Sequence, residues 1–136
     1  MATLTAKLTL SSTDLTSDTL SMALTKILTV AGDTRIFRRT VLSAEDELFT
    51  DGGIVIAAAN YGKSYVLFHN TSSASAEIIT LGLADNDGSG DAALETTNIA
   101  LGAGEFAFYP WDSSTDIVAD AASGSPVLEV GVFEAA

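Results

Sequence analysis

The sequence predicts an all-β protein, a β-sandwich or jelly roll of about eight to ten short antiparallel strands with little or no helix. Three observations lead there. Apolar residues recur at every second position rather than with a helical period. The candidate strands are short and evenly spaced, and clusters rich in Gly, Asp, Asn and Ser separate them. Finally, 47% of the residues are hydrophobic, which is enough to bury a core and excludes the disordered class despite the acidic charge.

The first element runs Thr3-Leu-Thr-Ala-Lys-Leu-Thr-Leu10. Leu4, Leu8 and Leu10 fall on one face, with Thr3, Thr5, Lys7 and Thr9 on the other. Threonine is β-branched and suits a pleated, half-wet surface. Over residues 20–30, Leu20, Met22, Leu24, Leu28 and Val30 share parity, and the segment ends at the turn signal Ala31-Gly-Asp. Leu20, Leu24, Ile27 and Leu28 would also make a helical stripe with Ser17 as N-cap; parity and the turn signal favour a strand. Further strands are expected over 34–42, 47–49, 54–58, 63–69, 76–83, 93–101, 105–110, 116–119 and 126–134. Between them lie Asp51-Gly-Gly, Asn60-Tyr-Gly, Asn70-Thr-Ser-Ser, the Asp/Gly run near 85–91, Gly102-Ala-Gly and Ser123-Gly-Ser-Pro. No linker or change of composition divides the chain, so residues 1–136 are expected to form a single domain. Residues 1–30 read as an N-terminal arm or edge strand, a natural pairing site for another subunit.

Eighteen acidic against six basic residues give a formal charge of −12. Nucleic-acid binders neutralise phosphates with Lys and Arg, so this balance argues against nucleic acid and against an anionic membrane surface. Arg35, Arg38 and Arg39 form the one basic cluster, too small for an electrostatic footprint. They suit an acidic patch on a partner subunit or on the same chain, and equally suit ordinary surface charges on a strand. There is no cysteine, hence no disulfide framework and no thiolate metal site. Met1-Ala-Thr-Leu-Thr-Ala-Lys-Leu lacks the basic segment and apolar run of a secretory signal, and no stretch reaches the length of a membrane span. The expected place of synthesis is a cytoplasm.

The Asp/Gly run is the strongest metal motif. Asp85, Asp87, Ser89 and Gly90 fill the front of an EF-hand pattern, but the twelfth position is Thr96, with Glu95 one place early, and the flanks read as strands. A looser calcium site at Asp85, Asp87 and Asp91 remains a weak candidate beside an ordinary exposed glycine-rich loop; no cofactor is otherwise expected. His69 is the only histidine, and no Gly-x-Ser-x-Gly elbow presents a serine, so a small β-fold hydrolase is disfavoured. Asp112, Asp116 and Asp120 recur every fourth residue, but nothing marks a pair of them for acid–base work. The expectation is a protein that is not an enzyme.

Glu105-Phe-Ala-Phe-Tyr-Pro-Trp111 concentrates the aromatics. Phe106 and Phe108 are expected inward and Ala107 and Tyr109 opposite, with Trp111 sealing the end of the sandwich or making a subunit contact. The competing reading is a carbohydrate platform, which with a calcium at the Asp85–Asp91 loop would make a carbohydrate-binding module. Trp111, Phe108, Arg38 and Arg39 are thus the interface candidates. Asn70-Thr-Ser matches a glycosylation sequon, which carries no weight without a secretory signal.

The last third of the chain joins Leu101-Gly-Ala-Gly-Glu-Phe-Ala-Phe-Tyr-Pro-Trp-Asp to Asp116-Ile-Val-Ala-Asp-Ala-Ala-Ser-Gly and Pro126-Val-Leu-Glu-Val-Gly-Val-Phe-Glu. In its Gly-x-Gly-Glu, Pro-Trp and closing Leu-Glu-x-x-x-Phe-Glu pattern it resembles small virion proteins of tailed bacteriophages. The resemblance implies a β-sandwich structural part with no catalytic residue. First choice is a capsid decoration or cement protein that binds the major capsid protein on the outer surface of the virion and stabilises the shell. A neck, tail or fibre component is the alternative. A homo-oligomer is expected, a trimer first, because three-fold sites are common on shells.

Overall fold

The computed structural model describes residues 2–14, 19–42, 54–84 and 94–136. Among these residues the chain forms nine strands: β1 (Ala2–Ser12), β2 (Leu20–Thr40), β3 (Ile54–Ile56), β4 (Ser64–Asn70), β5 (Ile79–Ala84), β6 (Leu94–Leu101), β7 (Phe106–Trp111), β8 (Ile117–Ala121) and β9 (Val127–Ala135). The only helical element among them is a single 3-10 turn, Ala58–Asn60. The all-β expectation holds.

The strands make a five-stranded sheet, β1-β2-β9-β4-β7, and a four-stranded sheet, β3-β8-β5-β6. Every pairing is antiparallel, and most are nested. β5 pairs with β6, β4 with β7, β3 with β8 and β2 with β9. The chain from β2 onward is therefore one long hairpin, closed at β5–β6. It rolls up so that β4 also meets β9 and β5 also meets β8. This winding is a jelly roll, with β1 added outside β2.

The core lies between the sheets. Val66, Phe68, Trp111, Leu128, Val130 and Val132 come from the five-stranded sheet and meet Ile56, Ile79, Leu81, Leu101 and Ile117 of the other. In β4 the alternation is complete: Ser64, Val66, Phe68 and Asn70 are buried, while Tyr65, Leu67 and His69 are half-exposed. Burial pushes the Tyr109 hydroxyl up to about 12, so this side chain stays neutral inside the fold.

Three expectations change. Residues 20–30 and 34–42 were expected as separate strands around Ala31-Gly-Asp, but β2 runs unbroken through them. The turn signal became a bulge: Val30 pairs with Ala135 and Thr34 with Phe133, so β2 carries two extra residues there. Second, β7 faces the other way. Ala107, Tyr109 and Trp111 point to the core, and Phe106 and Phe108 point out. Both parities of β7 carry aromatics, so period two alone could not choose between them; pairing with Phe68, Val66 and Ser64 of β4 does. Pro110 is tolerated in β7 because the strand lies at the sheet edge. Third, not all strands are short, since β2 spans 21 residues. The strand expected over 47–49 lies outside the described residues.

Candidate assembly surface

Antiparallel sheets of a sandwich commonly turn polar residues outward. The four-stranded sheet does this where Thr80 stands opposite Asp120. The five-stranded sheet does the reverse. Its pairings place its outward residues in rows across the strands. One row is Thr34–Phe133–Tyr65–Pro110, the next Ile36–Gly131–Leu67–Phe108, and the third Arg38–Glu129–His69–Phe106. Ile36 is 69% exposed, Phe106 65% and Phe108 38%. The Tyr65 and Phe108 rings stack at 6.0 Å. Gly131 keeps the middle row low: a Cβ there would come within 3.0 Å of the Phe133 ring and 3.3 Å of Leu67.

The third row is the polar border of this patch. Arg38 reaches Glu129 at 3.7 Å, and His69 Nδ1 lies 3.4 Å from the other carboxylate oxygen. These are exposed pairs that orient side chains more than they add stability.

The ribbon formed by β1 and the first half of β2 extends this surface. Leu4 pairs with Leu28, Leu8 with Leu24 and Leu10 with Met22, so the leucines predicted to share a face do so. Because β2 gains an even number of residues at the bulge, that face continues the outer face of the sheet. The ribbon turns toward it. A groove of about 580 Å³ has Leu4, Leu8 and Leu24 on one wall and Leu67, Phe106, Phe108 and Phe133 on the other. Of the nine large hydrophobic residues that are exposed among the described residues, seven have the parity of this face; the exceptions are Ile27, on the opposite face of the ribbon, and Ile78. Monomeric soluble proteins rarely expose a contiguous apolar face of this kind.

Glu134 holds the ribbon's root. Its carboxylate accepts hydrogen bonds from the backbone N–H of Asp33, at 2.9 Å, and of Gly62, at 2.8 Å. Gly32 leaves room for it: a Cβ there would fall on the carboxylate and displace it. The hydrogen bond from Asp33, followed by that from Gly62, holds the Glu134 carboxyl below the usual glutamate range. A carboxylate with a depressed folded pKa stabilises the fold above its unfolded pKa, and the contribution fades as pH falls through the folded value. An NMR titration should place the Glu134 midpoint below that of an ordinary glutamate, and Asp33 and Gly62 amide protection should drop together with it. A midpoint at the ordinary value would remove this clasp.

The predicted site residues do not come together. Trp111 is 5% exposed, with its ring edge-on to Tyr61 at 6.5 Å and its indole N–H donating to the Thr115 carbonyl at 3.2 Å. It seals the sandwich and offers no platform. Phe108 and Arg38 lie on the outer face, whereas Arg39 and Arg35 share the opposite, inward parity with Phe37. The arginine cluster is therefore split between two faces. Asp85, Asp87 and Asp91 lie outside the described residues. Asp112 caps its own turn, and the hydrogen bonds it accepts from the Ser114 hydroxyl and backbone N–H keep its carboxyl below the usual range. Asp116 accepts a hydrogen bond from the Ala58 N–H at 2.7 Å. The sequon residue Asn70 is buried. Sequence reasoning missed Ile36, Leu67 and Phe133; a search for apolar residues of the parity opposite to the core would have flagged them.

Comparison with protein-family models, with curated proteins and with solved structures found no match to this chain.

Proposed function

We propose that this chain is a structural protein of a tailed-bacteriophage virion, a capsid decoration protein that binds the major capsid protein and stabilises the shell by contact. The observation that carries this reading is the apolar outer face of the five-stranded sheet and its ribbon, which in a working monomer would be left in water at a cost. The jelly roll supports it by analogy, since viral capsid domains share that architecture. So does the resemblance of the last third of the chain to small virion proteins. A net charge of −12 suits the outside of a shell, away from packaged nucleic acid.

The test is reconstitution. Shells lacking the protein should take up the purified chain, show added density by electron microscopy, and withstand heat or chelator longer than bare shells. Ile36→Asp together with Phe108→Asp, both on exposed positions, should abolish uptake without unfolding the protein. Uptake that ignores these changes would remove the surface from the assembly role. A neck, tail or fibre role would place the added density at the vertex or tail instead. Lectin domains also share the jelly roll, and the stacked Tyr65–Phe108 pair is the aromatic platform such a role would use. Glycan binding lost on Phe108→Ala, with no uptake by shells, would favour that role.

A further inference from the structure

We propose that the outer edge of β1 accepts an extended segment of a partner protein, which adds a strand to the five-stranded sheet and sets a carboxylate against Lys7. The site is the edge of the ribbon, not its apolar face, and it stands whether or not the protein belongs to a virion.

The two sheets leave four strand edges, at β1, β7, β3 and β6. An edge strand presents unpaired N–H and C=O groups that another chain can extend, so soluble proteins interrupt their edges. β7, β3 and β6 are interrupted. Pro110 removes a donor from β7. In the three-residue β3, Val55 is an extra residue between the partners of Val118 and Ile117. In β6, Glu95 and Asn98 are extra residues opposite β5. β1 differs. Its eleven residues include neither Pro nor Gly, and all of them pair with β2 without a register shift. In such a ladder every second residue turns its N–H and C=O away from the partner strand. Among the described residues no other strand meets that side of β1. A regular row of backbone donors and acceptors is the complement of another extended strand.

Lys7 says which strand. It is the central residue of β1, exposed, on the face shared by Thr3, Thr5 and Thr9. Two copies of β1 paired in register across a two-fold axis would set Lys7 directly against Lys7, an unfavourable cross-strand pair. An acid at that position is favourable instead. The two strands of the ribbon supply none: Lys7 and Lys26 are their only charged residues, and Asp14 and Asp18 fall beyond the end of β1. The occupant is therefore an extended segment of another protein, alternating apolar and polar residues, with an Asp or Glu among the polar ones. Its apolar residues continue the row of Leu4, Leu8 and Leu10.

The probe is a fluorescein-labelled peptide copying residues 20–30, the segment that already matches β1 over its full length, with Thr25→Glu at the position opposite Lys7. Fluorescence anisotropy with the full chain should show saturable binding, at least about threefold tighter than for the Thr25→Lys peptide. Lys7→Glu, at an exposed position, should reverse that preference. Methylating alternate peptide nitrogens should abolish binding in one phase of the alternation and spare it in the other, with every side chain kept. Hydrogen exchange should find alternate amides of β1 unprotected in the free protein and protected by the peptide. No binding, or binding indifferent to the charge at residue 7 and to methylation, overturns the proposal. So does an edge whose alternate amides are already protected in the free protein. Protection that grows with protein concentration alone would give the edge to a second copy and overturn the foreign partner. No shell enters this test, so its failure leaves the virion reading standing, and a protein that ignores every shell leaves this edge standing.

Discussion

Trp111→Ala should lower the unfolding free energy by about 3–5 kcal/mol, whereas Phe108→Ala on the same strand should cost less than about 1 kcal/mol. The contrast follows from the register of β7. Trp111 lies opposite Ser64, at an inward position, and its ring is packed against the end of the core beside Tyr61. Truncation would leave a cavity between two sheets that cannot close up, and the Thr115 carbonyl would lose its donor. Phe108 lies opposite Leu67 on the outer face and loses only its stacking on Tyr65. Urea denaturation of the two variants would measure both values, and the single tryptophan offers an internal probe. Its emission should be blue-shifted in the native protein and shift to the red on unfolding. Near-equal losses, or a larger loss at Phe108, would mean that the strand faces the other way. The outer face would then be no assembly surface.

Asn70→Asp should be comparably severe, at about 3–5 kcal/mol. Asn70 is fully buried at the end of β4. Its side-chain amide donates to the Glu77 carbonyl at 2.8 Å and the Leu101 carbonyl at 3.0 Å, and its oxygen accepts from the Ser72 N–H at 3.1 Å. Its backbone N–H donates to the Glu105 carbonyl, and its carbonyl accepts from Gly104. One residue thus ties the turn before β7 to the loop that leads into β5. Replacing the amide nitrogen with oxygen would set a carboxylate against two carbonyl oxygens in a dry site, a loss of two donors and a new repulsion. Asn70→Gly should cost less, because water could enter the space. Thermal melts of the two variants check the order, and an aspartate variant as stable as the parent would show that the site is wet. The same burial means that a glycan on the Asn70-Thr-Ser sequon is incompatible with the fold.

Much of the architecture was legible from alternation. Leu4, Leu8 and Leu10 share a face as expected, and β4, β6, β8 and β9 lie within a few residues of their expected places. Alternation works for these strands because one face is dry and the other wet. It failed at β7 because Phe106 and Phe108 compete with Tyr109 and Trp111 for the interior. Two aromatic faces leave no hydrophobic contrast to read. It also failed at Ala31-Gly-Asp, where residues that end a strand in isolation are carried through as a bulge clasped by Glu134, more than a hundred positions away. The basic run Arg35 to Arg39 misled for a simpler reason: neighbours in a strand point to opposite sides.

Period-two patterning and turn chemistry were enough to specify an all-β protein with a Leu/Thr ribbon at its start, because those are local consequences of the pleat. The nested pairing that makes the sandwich a jelly roll, the outward turn of Phe106 and Phe108, and the meeting of the ribbon's leucines with that aromatic face were settled by contacts between distant segments. Each depends on which of two similar surfaces is buried better against a distant segment, and no single strand carries that information.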